Sequence, residues 1–103
     1  MIRVCEHCGK ELLNRGSICD LCVCGGENIH SFWKCSGCDS FYYNDYYDCW
    51  DSENPDELWF EISESTFNEG RSRIAACPEP SRKLCNCPLH PFSIPLEGAK
   101  RLQ

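Results

Sequence analysis

Much of what this chain is not can be read from what it lacks. No stretch approaches the ~18–20 consecutive apolar residues of a membrane-spanning helix. The opening MIRVCEHCGKELL has neither an apolar h-region nor a small-residue cleavage site, so no secretory signal peptide is expected. Residues 39 to 70 contain no Lys, Arg or His at all. H-E-x-x-H, H-x-E with P-C-x-x-C, and G-x-S-x-G are all missing, which argues against the metallopeptidase, deaminase and serine-hydrolase chemistries those patterns carry. Length is short as well: 103 residues allow one domain or two very small ones, with a modest hydrophobic core.

Cysteine is what the chain has in excess. Eleven residues are Cys, above the level that marks a cysteine-scaffolded chain. Such cysteines are disulfides in an oxidising compartment and metal ligands in a reducing one. With no signal peptide expected, a reducing, cytoplasmic setting and metal ligation are the expectation. An odd count also fits a closed set of disulfides poorly.

The spacing is informative. Cys5-Glu-His-Cys8 is followed by Gly9, and Cys19-Asp-Leu-Cys22 follows ten residues later. Two residues between thiolates let one tight turn aim both sulfurs at one ion. A glycine after the turn accepts positive φ. Asn14-Arg15-Gly16 is a turn signal between the pairs, so a short hairpin is expected there. Over residues 3–23, and less fully over 24–38, the chain resembles the zinc-ribbon family. That resemblance implies a closed four-sulfur structural zinc site. A redox dithiol would need a strand-to-helix junction that is absent here. Iron in a rubredoxin-like site would use similar knuckles. His7 reads as a solvated side chain inside the first knuckle.

Two further clusters follow. Cys24-Gly-Gly, then Cys35-Ser-Gly-Cys38, resembles a second ribbon, with Ile29, Phe32 and Trp33 expected to cover its metal. Its fourth ligand is open: Cys49, His30 or a cysteine from the C-terminal segment. The Pro-rich stretch Cys77 to His90 holds Cys77, Cys85, Cys87 and His90, a standard zinc set in a segment that prolines keep out of regular structure. One partition uses every cysteine: Cys5, Cys8, Cys19 and Cys22; Cys24, Cys35, Cys38 and Cys49; Cys77, Cys85, Cys87 and His90. A two-ion arrangement is its rival, in which Cys24, Cys35 and Cys38 borrow a ligand from residues 77–90. Two or three structural Zn2+ ions are therefore expected.

The middle of the chain is acidic and aromatic. Residues 39–70 carry ten acids and nine aromatics, whereas residues 1–38 are neutral and 71–103 mildly basic. Ser40 to Tyr47 and Leu58 to Ile62 are strand-like and predict an antiparallel pair. Thr66-Phe-Asn-Glu69 predicts a helix start, with Phe67, Ile74 and Ala75 on the helix and Cys77-Pro78 as its stop. The expected fold is a small metal-stabilised α+β unit. A ribbon at residues 1–23 precedes a zinc-pinned sheet with one short helix at 24–103, which includes the Pro- and Cys-rich segment 77–95.

The functional expectation is a non-enzymatic interaction module for a basic protein partner. Tyr and Trp supply rigid contact area and carboxylates steer association. Asp45, Asp48, Trp50, Asp51 and Glu57 are the candidate contacts. Nucleic-acid binding, common among zinc ribbons, is disfavoured by the formal charge of −6, since phosphate binding rests on Lys and Arg. The basic residues Arg71, Arg73, Arg82, Lys83, Lys100 and Arg101 keep it as the alternative. A metal-dependent enzyme is the third reading. Catalytic zinc keeps an open position, and every cluster here can close. No small-molecule substrate and no membrane are expected.

Overall fold

Strands covered on both faces build most of this molecule: Phe41 to Asn44 of one strand are four consecutive buried residues. A computed structural model describes residues 4–21, 26–48, 56–82, 87 and 92–102. Within them run β1 (Leu12–Leu21), β2 (Glu27–Cys35), β3 (Phe41–Asp48), β4 (Asp56–Ile62), α1 (Glu64–Ala76) and β5 (Lys100–Leu102). The strands form one antiparallel sheet in sequence order, β1-β2-β3-β4-β5. The expected β3–β4 pair is present, with Tyr43 opposite Phe60 and Phe41 opposite Ile62. Among the described residues no helix is long and apolar enough to cross a membrane.

The two faces of the sheet have different contents. On one face Ile18, Phe32, Phe41, Tyr43 and Ile62 meet Phe67 and Ile74 of α1, together with Phe92. On the other face Leu12, Tyr42, Trp59 and Leu102 pack with Cys5 and Cys35. Phe32 and Tyr42 are both fully buried, each stabilising its own face by about 1.5–3 kcal/mol. Trp33 lies beside the second cluster, as expected. Phe32 does not cover a metal, because the next residue along a strand points to the opposite face.

α1 begins three residues earlier than the Thr66 pattern suggested. Its N-cap is Ser63, whose Oγ accepts the Thr66 N–H at 3.1 Å. It ends at Cys77 before Pro78, as expected. Phe67 and Ile74 are buried while Ala75 is exposed. Gly70 sits within this helix for a packing reason: a Cβ there would fall 2.2 Å from Phe32 Cζ. The missing side chain lets the helix lie directly on the Phe32 ring.

The Asn14-Arg15-Gly16 turn signal does not close a hairpin. β1 runs straight through it, and the signal is expressed as a β-bulge, with a register shift between Asn14 and Gly16. Asn14 Oδ1 accepts the Gly16 N–H at 2.9 Å, and Arg71 Nε donates to the Arg15 carbonyl at 3.1 Å. The hairpin partner of β1 is β2.

A buried polar network lies on the helix side. His30 contacts Tyr43 Oη through Nδ1 at 2.5 Å and Asp20 Oδ2 through Nε2 at 3.1 Å. Asp20 Oδ2 also accepts the Phe92 N–H at 2.7 Å. These bonds tie the segment at Phe92 onto the sheet, and they give His30 a structural role instead of the ligand role open to it in the sequence.

Candidate metal centre

Two tight turns with the same wiring create the centre. In the first, Cys5 N donates to Lys10 O at 2.8 Å and Gly9 N to Cys5 O at 3.0 Å. Gly9 takes φ +74°, the conformation that the sequence assigned to it. In the second, Cys35 N donates to Ser40 O at 3.0 Å. Each turn also aims a backbone N–H at its first sulfur: His7 N to Cys5 Sγ at 3.4 Å and Gly37 N to Cys35 Sγ at 3.2 Å.

The β1–β2 hairpin brings the two turns together. The first turn precedes β1 and the second follows β2, and Leu12 pairs with Cys35. A hydrogen bond from Ser36 N to Glu11 O, 3.2 Å long, joins them. The sulfurs of Cys5, Cys8, Cys35 and Cys38 consequently lie within 4.8 Å of one another. Cys8 and Cys35 are 3.3 Å apart, and Cys5 and Cys38 are 3.6 Å apart. Four sulfurs held ~2.3 Å from one zinc ion would stand ~3.8 Å apart. The donor set and its spacing therefore fit a tetrahedral metal site. Cys5 and Cys35 are buried, Cys38 is half-buried and Cys8 is exposed.

Four clustered thiols cannot all ionise without a cation. Burial pushes the Cys5 thiol up, but hydrogen bonds from Tyr42 Oη, the Cys8 and His7 backbone and Cys38 outweigh it and bring it down to about 5. Cys35 is also lowered, as the Gly37 N–H and neighbouring thiols overcome its desolvation. Cys8 goes the other way, to about 12: the Lys10 backbone lowers it, but proximity to Cys35, desolvation and the remaining thiols win. Protons are thus shared unevenly among the sulfurs. A divalent cation bound here would remove the conflict by holding all of them as thiolates.

Tyr42 is a neighbour that sequence reasoning did not single out. Its Oη lies 3.4 Å from Cys5 Sγ and accepts the Glu6 N–H at 3.2 Å. Desolvation raises its own pKa, so it stays a neutral donor to the sulfur. Ser40 Oγ lies 3.2 Å from Cys38 Sγ. At the rim, His7 Nε2 is 2.7 Å from Glu61 Oε2, and that hydrogen bond and charge raise the histidine's pKa.

The structure regroups the cysteines. Cys5 and Cys8 join Cys35 and Cys38, not Cys19. Cys19 is drawn into β1 opposite Ile29, where it is buried and its N–H donates to Pro80 O at 2.6 Å. Cys19 lies inside β1, where the backbone stays extended through Leu21, whereas Cys35 is the last residue of β2 and can open a turn. Cys77 and Cys87 are together, Sγ to Sγ 3.5 Å. Cys22, Cys24, Cys49, Cys85 and His90 lie outside the described residues.

Of the contacts expected for a partner, Asp48 and Glu57 share the face opposite the helix with Trp33 and Trp59. Asp45 alternates to the helix side, where Oδ1 accepts from Asn28 Nδ2 at 2.6 Å. Trp50 and Asp51 lie outside the described residues. Comparison with protein-family models, curated proteins and solved structures gave no match. The four-cysteine cluster is consistent with a zinc-ribbon-like motif.

Proposed function

We propose that the chain is a non-enzymatic interaction module. In this reading Cys5, Cys8, Cys35 and Cys38 hold a structural zinc ion, and the opposite end of the same sheet face docks a basic protein. When bound, the ion would clamp the open end of the β1–β2 hairpin. Sulfur would fill all four positions, which would leave none for a substrate. The Cys77–Cys87 pair supports a second ion, as two ligands of a set that the remaining C-terminal donors would complete.

One observation carries the docking reading. Asp48 and Glu57 line an open groove together with Trp33, Tyr46 and Trp59, so carboxylates and aromatics converge on one surface. Arg73 and Arg82 are engaged by Glu69 and Glu79 at 3.0 and 3.1 Å, which supports a protein partner over nucleic acid. Lys83 lies outside the described residues.

The test is capture of partners on the metal-loaded chain, compared with Asp48→Lys and Glu57→Lys. Loss of bound basic proteins at unchanged metal content is expected. An identical set of partners on both variants would overturn the reading.

A further inference from the structure

We propose that the groove on this face binds an arginine side chain presented by an extended basic segment. This inference rests on the docking reading above and names what the site would recognise.

The groove has a volume of about 410 Å³ and crosses from β1 to β4. Three steps between neighbouring strands span ~14 Å, the length of about four extended residues. A second concavity shares Ser17, Glu27 and Ile29 with it and runs on to Pro80 and Ser81 at the β1 edge. A continuous trough of this kind suits a stretch of chain better than a compact small molecule.

One wall is aromatic and already fixed. The Trp33 and Trp59 rings are tilted by 55° at 5.6 Å between centroids. Trp33 Nε1 donates to Ser31 Oγ at 2.8 Å, and Trp59 Nε1 donates to Glu57 Oε1 at 3.0 Å. Trp59 is only 4% exposed, so it backs Trp33, and the half-buried Trp33 and Tyr46 present the π surface. Little side-chain ordering is left for a ligand to impose.

The other end is anionic. Glu27 and Asp48 are direct cross-strand partners, and like charges directly opposite each other destabilise a sheet. Glu57 stands opposite Tyr46 on the next strand. Every charged residue lining the groove, among those described, is acidic. A cation seated there relieves the repulsion and gains cation–π attraction from the indole. Guanidinium satisfies both ends better than ammonium, because it is planar, stacks on aromatics and offers a fork of donors to carboxylates.

The experiment is an NMR titration of the full metal-loaded chain. The probes are the capped pentapeptide Gly-Gly-Arg-Gly-Gly and its lysine and citrulline counterparts. Shifts at the Trp33 indole N–H, Ser31 and Asn44 are expected with arginine, weaker ones with lysine and none with citrulline. Glu27→Gln combined with Asp48→Asn should weaken arginine binding about tenfold, and Trp33→Leu should abolish the preference for arginine over lysine, at unchanged metal content. Equal response to citrulline, shifts confined to other surfaces, or no shift would overturn the assignment. The same shifts with a neutral oligosaccharide or a single-stranded oligonucleotide would overturn it too. If charge reversal at Asp48 and Glu57 abolishes partner capture while the arginine peptide leaves the groove unshifted, docking stands and arginine recognition falls. If capture survives charge reversal, the docking reading itself falls.

Discussion

Cys8 Sγ lies 3.3 Å from Cys35 Sγ although 27 positions separate them in the chain. Antiparallel pairing of β1 with β2 makes that contact, and it sets which cysteines could share an ion. Cys35→Ser should therefore abolish binding of one metal ion and, with it, cooperative folding, because a structural zinc contributes ~10–16 kcal/mol against ~5–15 kcal/mol of net domain stability. Cys19→Ser should leave that ion bound. Native mass spectrometry of the two variants reads the difference directly. Loss of the ion in Cys19→Ser with retention in Cys35→Ser would overturn the grouping.

Tyr42 should tune the centre without belonging to it. Tyr42→Phe removes the hydroxyl shared by Cys5 Sγ and the Glu6 N–H. Outer partners of metal ligands typically contribute ten- to hundredfold in affinity. Competition with a chromogenic chelator should show about a tenfold loss of affinity at unchanged stoichiometry.

Gly70→Ala should destabilise the protein even though alanine favours helix by ~1 kcal/mol. The new methyl would lie 2.2 Å from Phe32 Cζ, and overpacking of this kind typically costs 1–3 kcal/mol. A melting temperature at or above wild type would mean that α1 can move off Phe32.

The His7–Glu61 pair gives a pH signature. Its raised pKa means that the folded chain holds the proton more tightly than the unfolded chain does. The pair's contribution is fully present below the ordinary histidine value of about 6.5 and is lost as pH rises through the folded value. In an NMR titration Glu61→Gln should move the His7 midpoint down. The side chain is exposed, so global stability should hardly change.

Asp45 and Asp48 should separate fold from docking. Asp45→Ala removes a half-buried acceptor of Asn28, and thermal unfolding should show about 1 kcal/mol of lost stability. Asp48→Ala should leave stability within ~0.5 kcal/mol and weaken capture of a basic partner.

Parts of this structure were plain in the sequence, and others were not. Each Cys-x-x-Cys turn is a local object, with Gly9 after the first and Gly37 inside the second, so Cys5–Cys8 and Cys35–Cys38 could be recognised within a few residues. Their pairing is non-local. Proximity in sequence favoured Cys19 as a partner for the first turn, whereas Cys19 lies inside β1, paired opposite Ile29. β3 and β4 were legible because aromatic residues crowd them. The cap at Ser63 was missed because Thr66 and Glu69 offer an equally good local pattern, and only the packing of Phe67 and Ile74 on the sheet selects between them. The groove could not be read from the acidic run alone, since neighbours in a strand face opposite ways and Asp45 is separated from Asp48 by that parity.

The bulge at Asn14 has a consequence for how one strand serves two layers. Leu12 and Ile18 are six positions apart, an even spacing that in a regular strand would place both on one side. They are nonetheless buried in different clusters, Leu12 with the cysteines and Ile18 under the helix. The inserted residue works as a half-period phase change. It lets the first part of β1 be read in step with the metal end and the second part in step with α1. Deleting Arg15 would leave Leu12 and Ile18 five positions apart, an odd spacing that places them on opposite sides with no bulge at all. A regular strand of the present length would instead turn both to one side, and the chain would have to give up either its contact with the cysteine turns or its place beneath the helix.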